Sequence, residues 1–223
     1  MLYIVATPIG NLKDITLRAI ETLKSCDFVI AENPLYSKRL LENIGAWPKE
    51  MVQFAEHNEQ QILKDLTRRL VKSDACLITD AGTPGISDPG FRLVRECVKE
   101  NTQVVPIPGA NAALAALSAS GMPTDKFLFL GFLQKTAVKT VEALQAAADA
   151  EATAIFYESP ERITKTLGYV ANAFPNSQVV VARELTKMHE EFLRGAPIDV
   201  LHQLKEKPSI KGELTVLISF KGI

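Results

Sequence analysis

A chain of 223 residues, 47% apolar and 23% charged with 12 Gly and 12 Pro, has the profile of a folded globular protein and excludes disordered and fibrous classes. Its 25 basic and 26 acidic residues give a net charge of −1, so no global field draws it to nucleic acid or an anionic membrane, and any RNA contact has to be local. The three cysteines, Cys26, Cys76 and Cys97, are odd in number and lie in apolar or helical stretches, which predicts core residues and not a disulfide framework or zinc site.

"LYIVAT" is a β-branched apolar run ended by a Pro-Ile-Gly-Asn turn, and it predicts a buried first strand. Pro8 and Gly10 interrupt it too early for a secretory signal, and no run reaches the roughly 20 apolar residues that span a bilayer, so the expected location is the cytoplasm. "DITLRAIETLKSC" places Ile15, Ala19 and Leu23 on one helical face, with Asp14 as the expected N-cap. "DFVIAE" reads as a second strand, "SKRLLENIG" as a helix opened by Ser37, and "MVQFAEHNE" as a third strand with a polar exit. "EQQILKDLTRRLVKS" is amphipathic and helical, "ACLITD" a fourth strand, "FRLVRECVKEN" a helix and "QVVPIPG" a fifth strand. Such alternation predicts a parallel sheet with helices on its faces.

"ANAALAALSASG" is a small-residue helix ending at Gly121, and the following "MPTDK" turn places a domain boundary near residues 121–125, giving domains 1–120 and 125–223. The second half repeats the logic. "FLFLGFL", "ATAIFYES", "QVVVARE" and "GELTVLISF" read as strands, separated by helices in "KTVEALQAAADAE", "ERITKTLGYVANAF" and "PIDVLHQLKEK". "RELTKMHEE" reads as a charged strand exit, of the kind that usually starts a solvated helix.

In open α/β sheets ligands sit beyond the carboxyl ends of strands, so the exits carry the chemistry. "DAGTPGISDPG", residues 80–90, combines Gly82, Gly85 and Gly90 with Pro84 and Pro89 in a stiff, bare loop. It lacks the Gly-Lys-Ser/Thr of a phosphate loop and the spacing of a dinucleotide fingerprint, so it suits an uncharged or cationic ligand held by backbone groups. Taken as mere turns, the same residues predict Asp88 as the cap of the next helix. "EHNE" offers His57 as a base, with strand alternation placing His57 and Glu59 on one side and Glu56 and Asn58 on the other. It equally fits a strand end with Asn58 as a helix N-cap. His57, His189 and His202 never fall at a metal-ligand spacing, so no metal is expected.

Taken together, "LYIVATPIGNLKDITLRAI", "EHNE", "DAGTPGISDPGFRLV", "PIPGANAALAALSASGMPTDKFLFLGFL", "FYESPERI" and "VARELTK" closely resemble, in order and over essentially the whole chain, the bacterial small-subunit (16S) ribosomal RNA cytidine ribose 2′-O-methyltransferases of the tetrapyrrole methylase superfamily. The resemblance implies two α/β domains of the tetrapyrrole methylase type, S-adenosylmethionine in the cleft between them, a homodimer, and 16S ribosomal RNA in the small subunit as partner. It implies a cofactor site lined by Pro8, Thr83, Pro84, Gly85, Ile86, Asn111, Ala112, Ala113, Phe156 and Leu214. It places the RNA-facing residues among Asn11, Glu32, Glu56, His57, Asn58, Arg183, Glu184 and Lys187, with Glu32 or His57 as base and Arg183 and Lys187 orienting the RNA backbone. Two segments depart from the family pattern. Where Ala-Glu-Asp-Thr-Arg is typical the chain has Ala31-Glu32-Asn33-Pro34-Leu35, and a loop expected to be basic reads "QKTAVKT", keeping only Lys135 and Lys139. Fewer phosphate contacts are expected. A tetrapyrrole-like small substrate and a ribosome-binding protein without turnover are the competing readings; the mostly polar strand exits disfavour the first, and the altered 33–35 segment motivates the second.

Overall fold

A computed structural model describes residues 1–47 and 49–221. The chain divides into two compact units, Met1–Asn111 and Ala112–Ile223.

The first unit holds β1 (Leu2–Val5), α1 (Leu17–Ser25), β2 (Phe28–Ala31), α2 (Pro34–Asn43), β3 (Glu50–Gln53), α3 (Glu59–Leu70), β4 (Ala75–Ile78), α4 (Phe91–Lys99) and β5 (Val104–Ile107). Its sheet is parallel throughout, in the order β3-β2-β4-β1-β5. The two-residue period of a strand splits the apolar runs between two cores. Val29, Ala31, Cys76 and Ile78 pack with Ala19, Leu23 and Leu41 of α1 and α2, while Phe28, Ile30, Ala75 and Leu77 pack with Leu66, Leu70, Leu93 and Cys97 of α3 and α4. All three cysteines are buried and unbridged, as their setting predicts. Because β1 leads toward β2 and β4 leads the opposite way to β5, the sheet reverses its winding between the adjacent exits of β1 and β4.

Three helix starts differ from expectation. Thr16, not Asp14, caps α1, its hydroxyl accepting from the Ala19 N–H at 3.1 Å; Asp14 is taken up in a 3₁₀ turn, Leu12–Asp14. The second helix opens at Pro34, earlier than Ser37, because Asn33 caps it and Pro34 supplies a preset first-turn φ. Ser37 is instead buried one turn inside. Asp88 does not cap α4, which starts from Gly90 with no side-chain cap; the Asp88 carboxyl is instead half-buried near Thr79, Glu32 and Asp80.

The second unit holds α5 (Ala112–Ser120), β6 (Phe127–Phe132), α6 (Ala137–Asp149), β7 (Thr153–Glu158), α7 (Ile163–Ala173), β8 (Gln178–Arg183), β9 (Glu191–Gly195), α8 (Pro197–Glu206) and β10 (Leu214–Ser219). The sheet runs β6-β7-β10-β8-β9 and is mixed, parallel only between β6 and β7. The division of the chain precedes the 121–125 turn because α5 packs on β7, β8 and β10. Its last carbonyls, on Ala119 and Ser120, accept from the Arg194 guanidinium at 2.8 and 3.2 Å, so a β9 side chain closes the helix end. Strand β9 was not expected, since "EFLRG" lacks an apolar alternation; it forms by hairpin pairing with β8. The opposite sheet face, with Ala154, Phe156, Val181, Leu214 and Val216, packs against Leu144, Leu167, Val170, Val200 and Leu204 from α6 to α8. No helix among the described residues is long and apolar enough to cross a membrane.

Candidate methyl-transfer site

The bare loop is built onto the winding reversal of the first sheet. Thr7, just past β1, exchanges two backbone hydrogen bonds with Gly82, at 2.8 and 3.1 Å, and its hydroxyl donates to the Thr79 carbonyl at 3.1 Å. Thr83 extends the tie with a hydroxyl bond to the Ala110 carbonyl beyond β5, 3.1 Å. Within the loop the Gly85 N–H donates to the Pro89 carbonyl and the Ile86 N–H to the Thr83 carbonyl, both 3.2 Å. Gly85 has φ +82° and Gly90 φ +143°, and a Cβ on Gly90 would lie 3.0 Å from Leu77 and 3.2 Å from the Gly85 nitrogen. Two backbone segments therefore touch where only glycine permits it.

Carboxylates gather beside this backbone. The Asp80 N–H donates to Glu32 Oε2 at 3.3 Å, joining the β2 and β4 exits. Burial raises the Asp80 carboxyl above its ordinary range and Glu32 adds to the effect; its Oδ1 is buried with no hydrogen-bond partner. Asp88 is pushed up to about 7, first by burial and then by Glu32 and Asp80. The segment from Thr79 to Gly90 contains no lysine or arginine. Acids with a desolvated oxygen that has no hydrogen-bond partner among the described residues, beside glycine backbone, fit a cationic group and do not fit a phosphate.

Of the remaining expected residues in this unit, Pro8 follows Thr7 directly, and Asn11 caps the 3₁₀ turn through the Lys13 N–H. The "EHNE" segment is a turn and not a strand, so the alternation expected of it does not occur. Asn58 holds the N-cap position of α3, but its amide accepts from the Ala55 N–H and donates to the Gln53 carbonyl, tying the turn to β3. His57 and Glu56 are exposed there, and Glu59 turns inward, 3.6 Å from Arg92.

A second constellation forms at one end of the other sheet. Leu214 lies opposite both Glu158 and Arg183, so the exits of β7 and β8 meet the entry of antiparallel β10; "KGEL" is thus a strand entry that reaches the same end. Arg183 Nε donates to Glu191 Oε2 at 2.9 Å and Nη1 to the Lys211 carbonyl at 3.2 Å, while Lys207 holds the other Glu191 oxygen at 2.6 Å. Lys187 Nζ bridges Glu184 at 2.8 Å and Glu213 at 3.0 Å. The Glu184 carboxyl is held low, chiefly by that lysine hydrogen bond. Glu184 and Thr186 have φ of +51° and +65°, backbone positions that cost energy in non-glycine residues and are held here by the ion pairs. Phe156 and Leu214 are buried in the apolar core between the sheet and α6 to α8. Asn111 and Ala112 straddle the division between the units, and Ala113 is buried in α5. Sequence reasoning did not place Thr7, Thr79, Asp80, Asp88, Glu191 or Glu213 among the site residues. The two loop acids carried a signal, as the only acids in a glycine- and proline-rich exit; the others become visible only through strand pairing.

The Tetrapyrrole (Corrin/Porphyrin) Methylases family model matches residues 1–197. The chain belongs to the tetrapyrrole methylase family. It is a methyltransferase whose methyl donor is S-adenosylmethionine. Among proteins similar to this tetrapyrrole methylase, the "Ribosomal RNA small subunit methyltransferase I" of Halalkalibacterium halodurans is 45% identical over 99% of this chain and 76% of its own length. The protein of the same name from a Hydrogenobaculum species is 42% identical over 98% of this chain and 95% of its own. Diphthine synthase shares the fold at TM-score 0.76 and 16% identity, covering 98% of this chain and 89% of that one. A cobalt precorrin-4 methyltransferase does so at 0.68 and 18%, covering 98% and 94%.

Proposed function

We propose that this methyltransferase acts on the ribose 2′-hydroxyl of a cytidine in 16S ribosomal RNA, as a cytoplasmic homodimer working on the small ribosomal subunit. The observation that carries the RNA substrate is identity above 40% along nearly the whole chain with proteins named for small-subunit ribosomal RNA. The polar strand exits agree with a hydrophilic substrate, whereas the likeness to corrin enzymes below 25% identity extends to the fold alone.

When bound, S-adenosylmethionine supplies an electrophilic methyl group on a sulfonium. Pro8, the Thr83–Ile86 backbone and Asn111, the expected cofactor residues of the first unit, would hold the nucleoside; the resemblance adds Ala112, Ala113, Phe156 and Leu214 of the second unit, of which Phe156 and Leu214 are core residues. The acids Glu32, Asp80 and Asp88 favour the cation and disfavour phosphate. The ribose hydroxyl has to be aligned for in-line attack and give up its proton late, and alignment supplies most of the acceleration. Glu32 is the base this reading favours, because it stands at the β2 exit with one oxygen already fixed by the Asp80 N–H; His57, exposed in its turn, is the second candidate. Arg183 and Lys187, committed to carboxylates, fix the β8–β9 turn that meets the RNA. Asn11, Glu56, Asn58 and Glu184 complete the RNA-facing set.

Incubating the protein with methyl-labelled S-adenosylmethionine and small subunits lacking the modification tests the reading. Label in 16S RNA at a 2′-oxygen is the expected result. Binding of subunits without transfer would instead support a ribosome-binding protein, and no interaction would return the question to small-molecule substrates.

A further inference from the structure

Asn33–Leu35 form the start of α2 and leave an exposed aromatic and apolar tip after Glu32. Pro34 begins the helix and Asn33 caps it, accepting from the Leu35 and Tyr36 N–H groups at 3.2 and 3.4 Å. The next two side chains point away from the unit: Leu35 is 86% exposed and Tyr36 61%. Neither packs in a core cluster, and the Tyr36 hydroxyl has no hydrogen-bond partner among the described residues. Arg39, three residues after Tyr36 and so on the same side of the helix, is exposed and engages no carboxylate among the described residues. Lys38 stands 5.3 Å over the exposed Trp47 ring and pairs with Glu42 at 3.6 Å, so it is already engaged. The first turn of α2 contains no acid.

We infer that this tip is a stacking platform for single-stranded RNA: an unpaired base lies on the Tyr36 ring against Leu35, and Arg39 takes the adjoining phosphate. The inference rests on the ribosomal RNA reading and names the form of RNA that this edge of the site receives. The α2 N-terminus and the exposed Arg39, which has no carboxylate partner among the described residues, flank the apolar surface and suit a polyanion. An exposed ring with basic neighbours suits a splayed base, and an A-form duplex offers no open base face to such a ring.

The test uses the full-length protein and, as probe, a single-stranded oligoribonucleotide carrying 2-aminopurine, whose fluorescence falls on stacking. Wild type and Tyr36→Phe should quench the probe and bind it alike, and Tyr36→Ala should lose about five- to a hundred-fold in affinity together with the quenching. Arg39→Gln should weaken binding while keeping the quench at saturation. On small subunits, Tyr36→Ala should raise KM by a similar factor with melting temperature and S-adenosylmethionine affinity unchanged. Equal probe binding by Tyr36→Ala and wild type would overturn the platform. So would a loss confined to whole subunits with the probe unaffected, which would assign the tip to a ribosomal protein. A wild type that quenches the probe but methylates no subunit would sink the RNA methylation reading and leave the platform standing.

Discussion

The Glu32 carboxylate accepts from the Asp80 backbone N–H at 3.3 Å, and the same two side chains raise the pKa of Asp88 after burial has done most of that work. One hydrogen bond thus joins the exits of β2 and β4 and concentrates negative charge where the first sheet reverses its winding. Asp88, pushed from 3.8 to about 7, is the group whose protonation relieves that concentration.

A carboxyl whose folded pKa lies above its unfolded value binds more protons when folded, so its contribution favours folding below about pH 4 and is lost as pH rises through 7. Asp88→Asn should therefore leave stability unchanged near pH 4 and raise it over wild type at pH 8, read as urea midpoints of the ligand-free protein. A constant difference across that range would mean that Asp88 titrates normally.

Gly85 separates backbone conformation from space. A Cβ there meets nothing nearer than the Phe91 nitrogen at 3.8 Å, yet φ is +82°. Gly85→Ala should cost about 1–2 kcal/mol through the left-handed backbone alone. If this loop holds the cofactor as proposed, Gly85→Val should abolish S-adenosylmethionine binding in calorimetric titration while the protein stays folded. Unchanged affinity would move the cofactor away from this loop.

The parallel sheet and its helices were legible because β2 and β4 are short continuous apolar runs between amphipathic helices, a pattern with few other solutions. The caps were less so. Thr16 and Asp14, or Asn33 and Ser37, are chemically comparable capping residues, and the choice is decided by which apolar face has to turn inward. The alternation read into "EHNE" failed because Asn58 bonds back to Gln53 and Ala55 and folds the segment into a turn. Strand β9 was hidden because "EFLRG" earns its place from the β8 ladder and from Arg194 reaching α5, neither of which has a local signature. At the site, glycine and proline marked the loop, whereas the pairing of Arg183 with Glu191 depends on the β8–β9 hairpin and that of Lys187 with Glu213 on β10 entering antiparallel.

Gly212 guards the second constellation. Its φ is +91°, and a Cβ would fall onto the Glu184 side chain that Lys187 holds. Gly212→Ala should displace Glu184 and loosen the turn carrying Lys187, raising KM for small subunits several-fold with S-adenosylmethionine affinity unchanged. Steady-state kinetics with each substrate varied in turn decides it; a loss of cofactor affinity instead would show that the turn serves the donor.

Leu35 offers the most direct gain-of-function test. Its exposure means that Leu35→Arg removes no packing, and stability should stay within about 0.5 kcal/mol of wild type. Asn33→Asp keeps a capping oxygen and Pro34→Thr a residue tolerated in the first turn, so the triple replacement toward the family pattern should also fold. If the α2 tip meets RNA, each variant gains one cation there, the triple variant an acid as well, and the arginine stem keeps an apolar surface beside Tyr36. Methylation of small subunits at fixed cofactor should rise at low salt, and the logarithmic slope of activity against salt should steepen by about 0.7 for a contact to single-stranded RNA. S-adenosylmethionine affinity should not move, because Leu35 is exposed and takes no part in the hydrogen bonds that shape the Thr79–Gly90 backbone. A rise in activity without a change in slope would point to a packing effect of the new side chain, and an unchanged slope with unchanged activity would place the RNA elsewhere on the molecule.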